Sequence, residues 1–191
     1  MEETIADGGM IRKLWLGEAR HYRDHLLRLD IASRRNRFGG AVADEMIESY
    51  VTTAMRVGTV VHGFLVDGLL RGVAELRPLG AAFPAEAEVA FSIEKPWQSH
   101  GVGSALLERT LLAARNRGLS HIHMSCLADN ARMQQLARKY AAELSFDFGS
   151  VVGEMAAPHA TPLSLFREMV ADSHGFATAV IDAQTRLLRP T

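Results

Sequence analysis

The chain has 191 residues and a mass of 20.9 kDa, room for one ordinary domain or a domain with an appendage. A hydrophobic share of 48% with 23% charged residues describes a globular protein with its own core, and a net charge of -1 excludes the broad basic footprint that nucleic acid requires. One cysteine, Cys126, excludes an internal disulfide and a multi-cysteine zinc site, and no apolar run approaches the ~20 residues of a membrane span. The start, MEETIADGG, lacks the apolar stretch of a secretory signal, so the expectation is a cytoplasmic protein with no membrane partner, no nucleic-acid partner and no metal.

Residues 1–9 are polar and glycine-rich and are expected to fray. Met10 to Trp15 reads as a short strand. Tyr22, Leu26 and Leu29 mark one face of a helix over Glu18 to Leu29. Arg34 to Gly40 is charged and ends in two glycines, which predicts a loop or a short broken helix. Asp44 is placed as the N-cap of a helix carrying Met46, Ile47, Tyr50 and Val51. The period then changes. Thr59 to Val66 and Leu69 to Arg77 read as strands joined by an Asp67-Gly68 hairpin turn, with a loop over Leu79 to Pro84 and a third strand over Glu88 to Glu94. Gly101 to Arg117 is a helix stopped by Gly118, His121 to Leu127 a strand, and Asp129 or Asn130 opens another helix running to about Ala142. Leu144 to Asp147 and Ser150 to Met155, turning at Gly149, close the pattern as a hairpin. After a linker at Pro158 to Pro162, Leu163 to Leu188 reads as a long amphipathic helix interrupted only by Gly175. Strands alternating with helices in this order imply an α/β (α+β) domain with a mixed sheet covered by helices. The expected division is a disordered 1–9, a domain over 10–157, and a linker with helix over 158–191.

The chemistry concentrates between Glu88 and Leu106. A strand leads through Pro96 and Trp97 to Gln98-Ser99-His100-Gly101-Val102-Gly103 and then into a helix. Unpaired N–H groups at a helix N-terminus carry partial positive charge, and glycines let a ligand approach the backbone, so the segment is suited to phosphate or pyrophosphate. A dinucleotide fingerprint would need a third glycine where Leu106 stands, and no Gly-Lys-Ser/Thr of a Walker A loop occurs.

The segment from Gln98 to Gly103 resembles the Q/R-x-x-G-x-G/A pyrophosphate loop of the GNAT superfamily of acyl-CoA-dependent N-acetyltransferases. The preceding strand, the Pro96-Trp97-Gln98 approach and Asn130 at the start of the next helix match in position. The resemblance runs from about Ile11 to Ala156 and is strongest from Glu88 to Tyr140. It implies that the sheet is mostly antiparallel and twisted. It also implies acetyl-CoA as cosubstrate, with the backbone of Phe91, Ser92 and Ile93 on the pantetheine arm. Gln98, Ser99, His100, Gly101, Val102, Gly103 and Ser104 would surround the pyrophosphate, and Asn130 would touch the cofactor arm. His100 departs from the arginine or lysine common in the family. Asn130-Ala131-Arg132-Met133 with Leu136-Ala137-Arg138-Lys139, and the stretch ending Ser33-Arg34-Arg35-Asn36-Arg37-Phe38, are similar to the GNAT domain of bacterial protein-lysine acetyltransferases.

The implied acceptor is a primary amine of a protein lysine or a small molecule. Such an amine has a pKa near ~10.4 and needs a base. Glu88, at the start of the cofactor strand, is the first candidate and Glu75 the second. Ser125 stands where some relatives carry the base. Ala137 stands where many carry a tyrosine acid, and Tyr140, one turn further on, is expected to pack. The missing tyrosine motivates a rival reading, a catalytically weak acyl-CoA sensor or interaction module. His21 and His25 have metal-ligand spacing but no third ligand nearby, and Cys126 is expected to be inert. Arg34, Arg35 and Arg37 stand in the region that lines the acceptor groove in similar proteins and could attract a carboxylate-bearing substrate, although three arginines in a polar loop are more often solvated. Phe166, Met169, Val170, Ala177, Val180, Ile181 and Leu188 form an apolar stripe on the last helix, an expected homodimer contact.

Overall fold

Alternation of burial along the strands builds the centre of the molecule first. The computed structural model describes residues 8–80, 85–140, 142–147 and 149–188. Strands β2 (Val60–Val66) and β3 (Leu69–Leu79) form the expected hairpin, and both turn residues, Asp67 and Gly68, hold positive φ of 51° and 71°. That turn twists with the strands and fixes their register. Around them lie β1 (Met10–Lys13), β4 (Glu86–Ile93), β5 (His121–Leu127), β6 (Glu143–Asp147) and β7 (Ser150–Ala156). The described strands make one open sheet in the order β1-β2-β3-β4-β5-β7-β6, with β4 and β5 parallel and every other pair antiparallel. Pro78 lies in β3 beyond the last β2 pair at Leu76, so its missing N–H breaks no ladder bond there.

Helices cover both faces. On one, α1 (Ala19–Arg28) and α3 (Asp44–Ala54) bury Tyr22, Leu26, Ile47 and Val51 against Val61, Leu65 and Val73. On the other, α4 (Val102–Asn116) and α5 (Ala131–Lys139) bury Leu107, Ala113 and Ala137 against Leu76, Val89, Ile122 and Met124. The charged stretch expected as a loop or a short broken helix belongs to a short unbroken helix, α2 (Ile31–Phe38), so three α-helices rather than two precede the hairpin. Asp30 caps it by accepting from the N–H groups of Ala32 and Ser33, both at 3.1 Å, and Gly39 ends it at φ 76°. Asp44 is the first helical residue of α3, not its cap, and Ala43 takes that place. Within the terminal stretch expected to fray, residues 1–7 lie outside the described residues, while Gly9 is buried where a β-carbon would come within 2.1 Å of Phe64 Cε2. Of the loop expected over Leu79 to Pro84, Leu79 closes β3 and 81–84 lie outside the described residues.

Helix α6 (Pro162–Leu188) is uninterrupted. Thr161 and Ser164 exchange side-chain and backbone hydrogen bonds at its start, with Pro162 in the first turn. It folds back on β1 and α4 mainly through its polar and small residues, and Phe176 meets the Trp15 ring edge-on at 5.6 Å. Asn116 donates to the Ser164 carbonyl at 3.0 Å, and Glu168 accepts from Arg117 at 2.5 Å. Lys13 reaches Asp172 at 3.4 Å. Gly175 does not break the helix. It marks the closest crossing, where a β-carbon would sit 3.0 Å from Arg12 Cβ. Phe166, Met169, Ala177 and Ile181 consequently face outward.

His62 on β2 is buried between sheet and α4. Thr110 spends its hydroxyl proton on the Leu106 carbonyl, so it accepts from His62 Nδ1 at 3.2 Å. Burial, and then the cations Arg109, Lys13 and Arg117, lower its pKa from 6.5 to about 3. Burial also lowers His25. Below about pH 6.5 the unfolded chain takes up protons that the folded chain refuses, so stability falls with pH, for His62 by up to about 1.4 kcal/mol per pH unit. Glu18, held near 2 against the effect of burial by His21, Arg12 and the Trp15 N–H, acts only below 4.5. Urea midpoints at pH 7 and pH 5 therefore isolate the histidines. The midpoint should be lower at pH 5, and His62→Gln should shrink the difference; an unchanged difference refutes the assignment.

Candidate active site

Strands β4 and β5 pair only from Glu86 with His121 to Glu88 with His123. Beyond that point β4 continues to Ile93 along β3, β5 continues to Leu127 along β7, and the two diverge. A cavity of about 450 Å³ fills the opening. The Glu94 N–H donates to the Arg71 carbonyl on the β3 side at 2.9 Å. Backbone direction alternates along a strand, so Ser92 faces β3, while Phe91 and Ile93 turn their N–H and C=O groups to the open side. The Ile93 carbonyl accepts from Gln98 Nε2 at 2.8 Å, as that geometry requires.

Gln98 is also a brace. Its Nε2 donates to Ser33 Oγ of α2 at 3.0 Å and its Oε1 accepts from Arg132 of α5 at 2.6 Å. The loop that follows bends sharply, with Ser99 at φ 66° and Gly101 at 82° as the N-cap of α4. A non-glycine residue in that region costs energy and is characteristic of ligand-binding loops. The first intrahelical bond runs from Ala105 N to Gly101 O at 3.1 Å, so the N–H groups of Val102, Gly103 and Ser104 have no partner within the helix. They supply an anion cradle reinforced by the α4 dipole. A β-carbon on Gly103 would lie 3.5 Å from Ile93 and 3.6 Å from Leu136, ordinary contact distances.

Phe91, Ser92, Ile93, Gln98, Ser99, Gly101, Gly103, Ser104 and Asn130 all line this one cavity. Asn130 also caps α5, its Oδ1 accepting from the Met133 N–H at 3.2 Å. Val102 does not line the cavity; its side chain packs with Phe64, Ala74 and Leu106. His100 is exposed and off the cavity wall. Glu88 stands at the apex where β4 and β5 part and pairs with Arg77 of β3. Beside it His123 lies 3.1 Å from Glu86. Tyr140 does not line the cavity; its hydroxyl lies 2.5 Å from Glu108 Oε1 and 3.3 Å from the carbonyl of Ser104, which does.

Glu75 is buried. Its Oε2 accepts from Tyr22 at 2.8 Å, Tyr50 at 2.6 Å and Arg37 at 3.1 Å. Burial, and then Glu75, raise both phenols, with Arg37 opposing. Burial alone would lower the Arg37 guanidinium, but the phenols and Glu75 hold it firmly protonated. Of the two readings of Arg37, a groove-lining residue or a solvated one, the structure has it lining the cavity with its side chain buried. Arg34 and Arg35 do reach the surface, bound to Asp44 at 2.7 Å and Asp129 at 2.8 Å. Ser125 and Cys126 also line the cavity, as do Asn36 and Lys139, to which the sequence assigned no role of their own. Burial pushes the Cys126 thiol up. No group of metal-ligating side chains occurs among the described residues, and His25 spends its ring nitrogens on Ser92 and Glu94. No helix there is long and apolar enough to cross a membrane.

A strand edge opening onto a helix N-terminus presents backbone groups, rather than a cluster of side chains, to the cavity. The acetyltransferase (GNAT) family matches at residues 20–141, and the chain belongs to that family. Its fold is similar to the GNAT domain of S. lividans PAT, with 23% identity, 82% of this chain and 96% of that one covered, and a TM-score of 0.71. It is also similar to yncA, a putative acetyltransferase from Salmonella typhimurium solved with its cofactor acetyl-CoA, at 16% identity, covering 81% and 97% with a TM-score of 0.59. A third similar structure is RimL, the ribosomal L7/L12 α-N-protein acetyltransferase in complex with coenzyme A, at 14% identity, covering 80% and 96% with a TM-score of 0.62.

Proposed function

We propose that this chain is an N-acetyltransferase that moves an acyl group, acetyl in the first instance, from acyl-CoA to a primary amine of a protein or small molecule. The observation that carries the reading is one cavity uniting the unpaired edge of β4 with the α4 N-terminus. Phe91 and Ile93 offer alternating donors and acceptors to the pantetheine amides, and Ser99 to Ser104 offer N–H groups to the pyrophosphate. The thioester is already activated, so the protein's work is to hold the amine beside it and remove a proton. Between the two carboxylates, Glu88 is the better base. Neither lines the cavity; Glu88 stands where the strands part and is paired with one guanidinium, that of Arg77, whereas Glu75 Oε2 is engaged by two phenols and a guanidinium. One observation favours the second reading, an acyl-CoA sensor: Ala137 replaces the tyrosine acid, and Tyr140 is tied to Glu108.

Gly103→Val should fold, because the added atoms begin at ordinary contact distance, yet weaken acetyl-CoA at least tenfold by calorimetry, about 1.4 kcal/mol. Unchanged affinity would remove the cradle from the site. Glu88→Gln should lower turnover by about 10²–10⁴ with little change in cofactor affinity. Full activity in Glu88→Gln alongside an inactive, folded Glu75→Gln would transfer the role to Glu75. If acetyl-CoA binds but an amine panel releases no CoA beyond hydrolysis, the sensor reading stands instead.

The outward stripe of α6 further supports a homodimer, because the helix holds its own domain through Ser164, Glu168, Asp172 and Gly175 and leaves Phe166, Met169 and Ile181 exposed. Light scattering should report a dimer for the full chain and a monomer for a chain ending near Ala157. A monomeric full chain refutes it.

A further inference from the structure

His25 of α1 is completely buried, and its Nε2 lies 2.9 Å from Ser92 Oγ on β4. Its Nδ1 lies 3.3 Å from Glu94 Oε1, one alternation further along the same segment. Ser92 is 5% exposed yet forms part of the cavity wall. We infer that Ser92, His25 and Glu94 act as nucleophile, base and orienter, and that the chain hydrolyses bound acyl-CoA through an acyl-Ser92 intermediate when no amine is at hand. The inference rests on the reading of the cavity as an acyl-CoA site.

The tautomer follows from the partners. Glu94 accepts from Arg28 Nε at 3.0 Å and from Arg71 Nη1 at 2.8 Å. Burial raises its carboxyl, but His25, Arg71 and Arg28 more than offset this and keep it ionised. An ionised carboxylate only accepts, so His25 carries its proton on Nδ1 and turns the Nε2 lone pair to the Ser92 hydroxyl. Burial, with Arg28 adding to it and Glu94 and the Ser92 backbone opposing, lowers the imidazole, so its resting form is neutral with one nitrogen lone pair free to accept. The charged groups around it are Glu94 and Arg28, with Arg71 beyond Glu94. A base within reach of a hydroxyl, oriented by a carboxylate, is the general arrangement of an activated nucleophile.

In the acylation step Ser92 Oγ attacks the thioester carbonyl. The C–O bond forms, the C–S bond breaks, and the serine proton passes through His25 Nε2 to the departing CoA thiolate. Water then attacks the ester, gives its proton to His25, and releases the carboxylic acid as Ser92 recovers its proton. The sum is acyl-CoA and water giving carboxylic acid and CoA.

The test is rapid-quench mass spectrometry of the whole protein with acetyl-CoA and no amine, with binding measured separately by calorimetry. One acetyl group should appear on the peptide holding Ser92, and acceptor-free CoA release should fall at least tenfold in Ser92→Ala and His25→Gln. Because His25 is buried and its variant can misfold, Ser92→Cys supplies a second readout: it should accumulate a hydroxylamine-sensitive thioester. Binding without acylation of Ser92 or Cys at that position, or undiminished hydrolysis in Ser92→Ala, overturns the inference and leaves the cavity assignment intact. Failure of acetyl-CoA to bind overturns that assignment and this inference together.

Discussion

The parting of β4 from β5 after three paired residues governs the rest of the molecule. A strand edge that loses its neighbour leaves N–H and C=O groups that must find partners or water. Here Gln98 takes the Ile93 carbonyl, while Phe91 and the Ile93 N–H remain turned to the opening. The same divergence makes room for α4 to aim its first turn into the gap. One topological event thus produces both halves of the cavity, and the residues that matter most act through backbone rather than side chain.

An opening in the middle of a sheet weakens the layer unless something else holds its walls. Polar links from the covering helices do so: His25 to Ser92, Arg28 to Glu94, Ser33 to Gln98 and Arg37 to Glu75. The Arg37–Glu75 pair is buried on both sides, and removing one partner of such a pair costs about 3–5 kcal/mol. Exposed pairs such as Arg35 with Asp129 contribute at most about 1 kcal/mol. The rigid wall of the cavity is therefore the face toward α1, α2 and α3.

What the sequence disclosed followed the range of the interactions. The hairpin at Asp67-Gly68, strand β5 and the glycine loop are local chemistry, and each was legible from a few neighbouring residues. Helix α2 was not, because Ile31 is 90% exposed and its cap, Asp30, lies just outside the run of arginines that suggested a loop. Arg37 looked solvated because its carboxylate partner lies 38 positions away, and His25 looked idle because Ser92 lies 67 positions away. No periodicity or spacing rule registers pairs of that separation. For the same reason the backbone cradle could be read residue by residue, while the burial of Glu75 became visible only once the sheet had formed.

Helix α6 hangs on the domain by a glycine crossing and a few polar contacts, and its outward face has no duty toward the sheet. Changes on that face alter what the helix meets without disturbing β1 or α4. The cavity is lined by no residue of α6, so changes in its wall leave the helix undisturbed. Two kinds of selection can therefore act on one short chain almost independently, one on the cavity wall and one on the outer face of the helix.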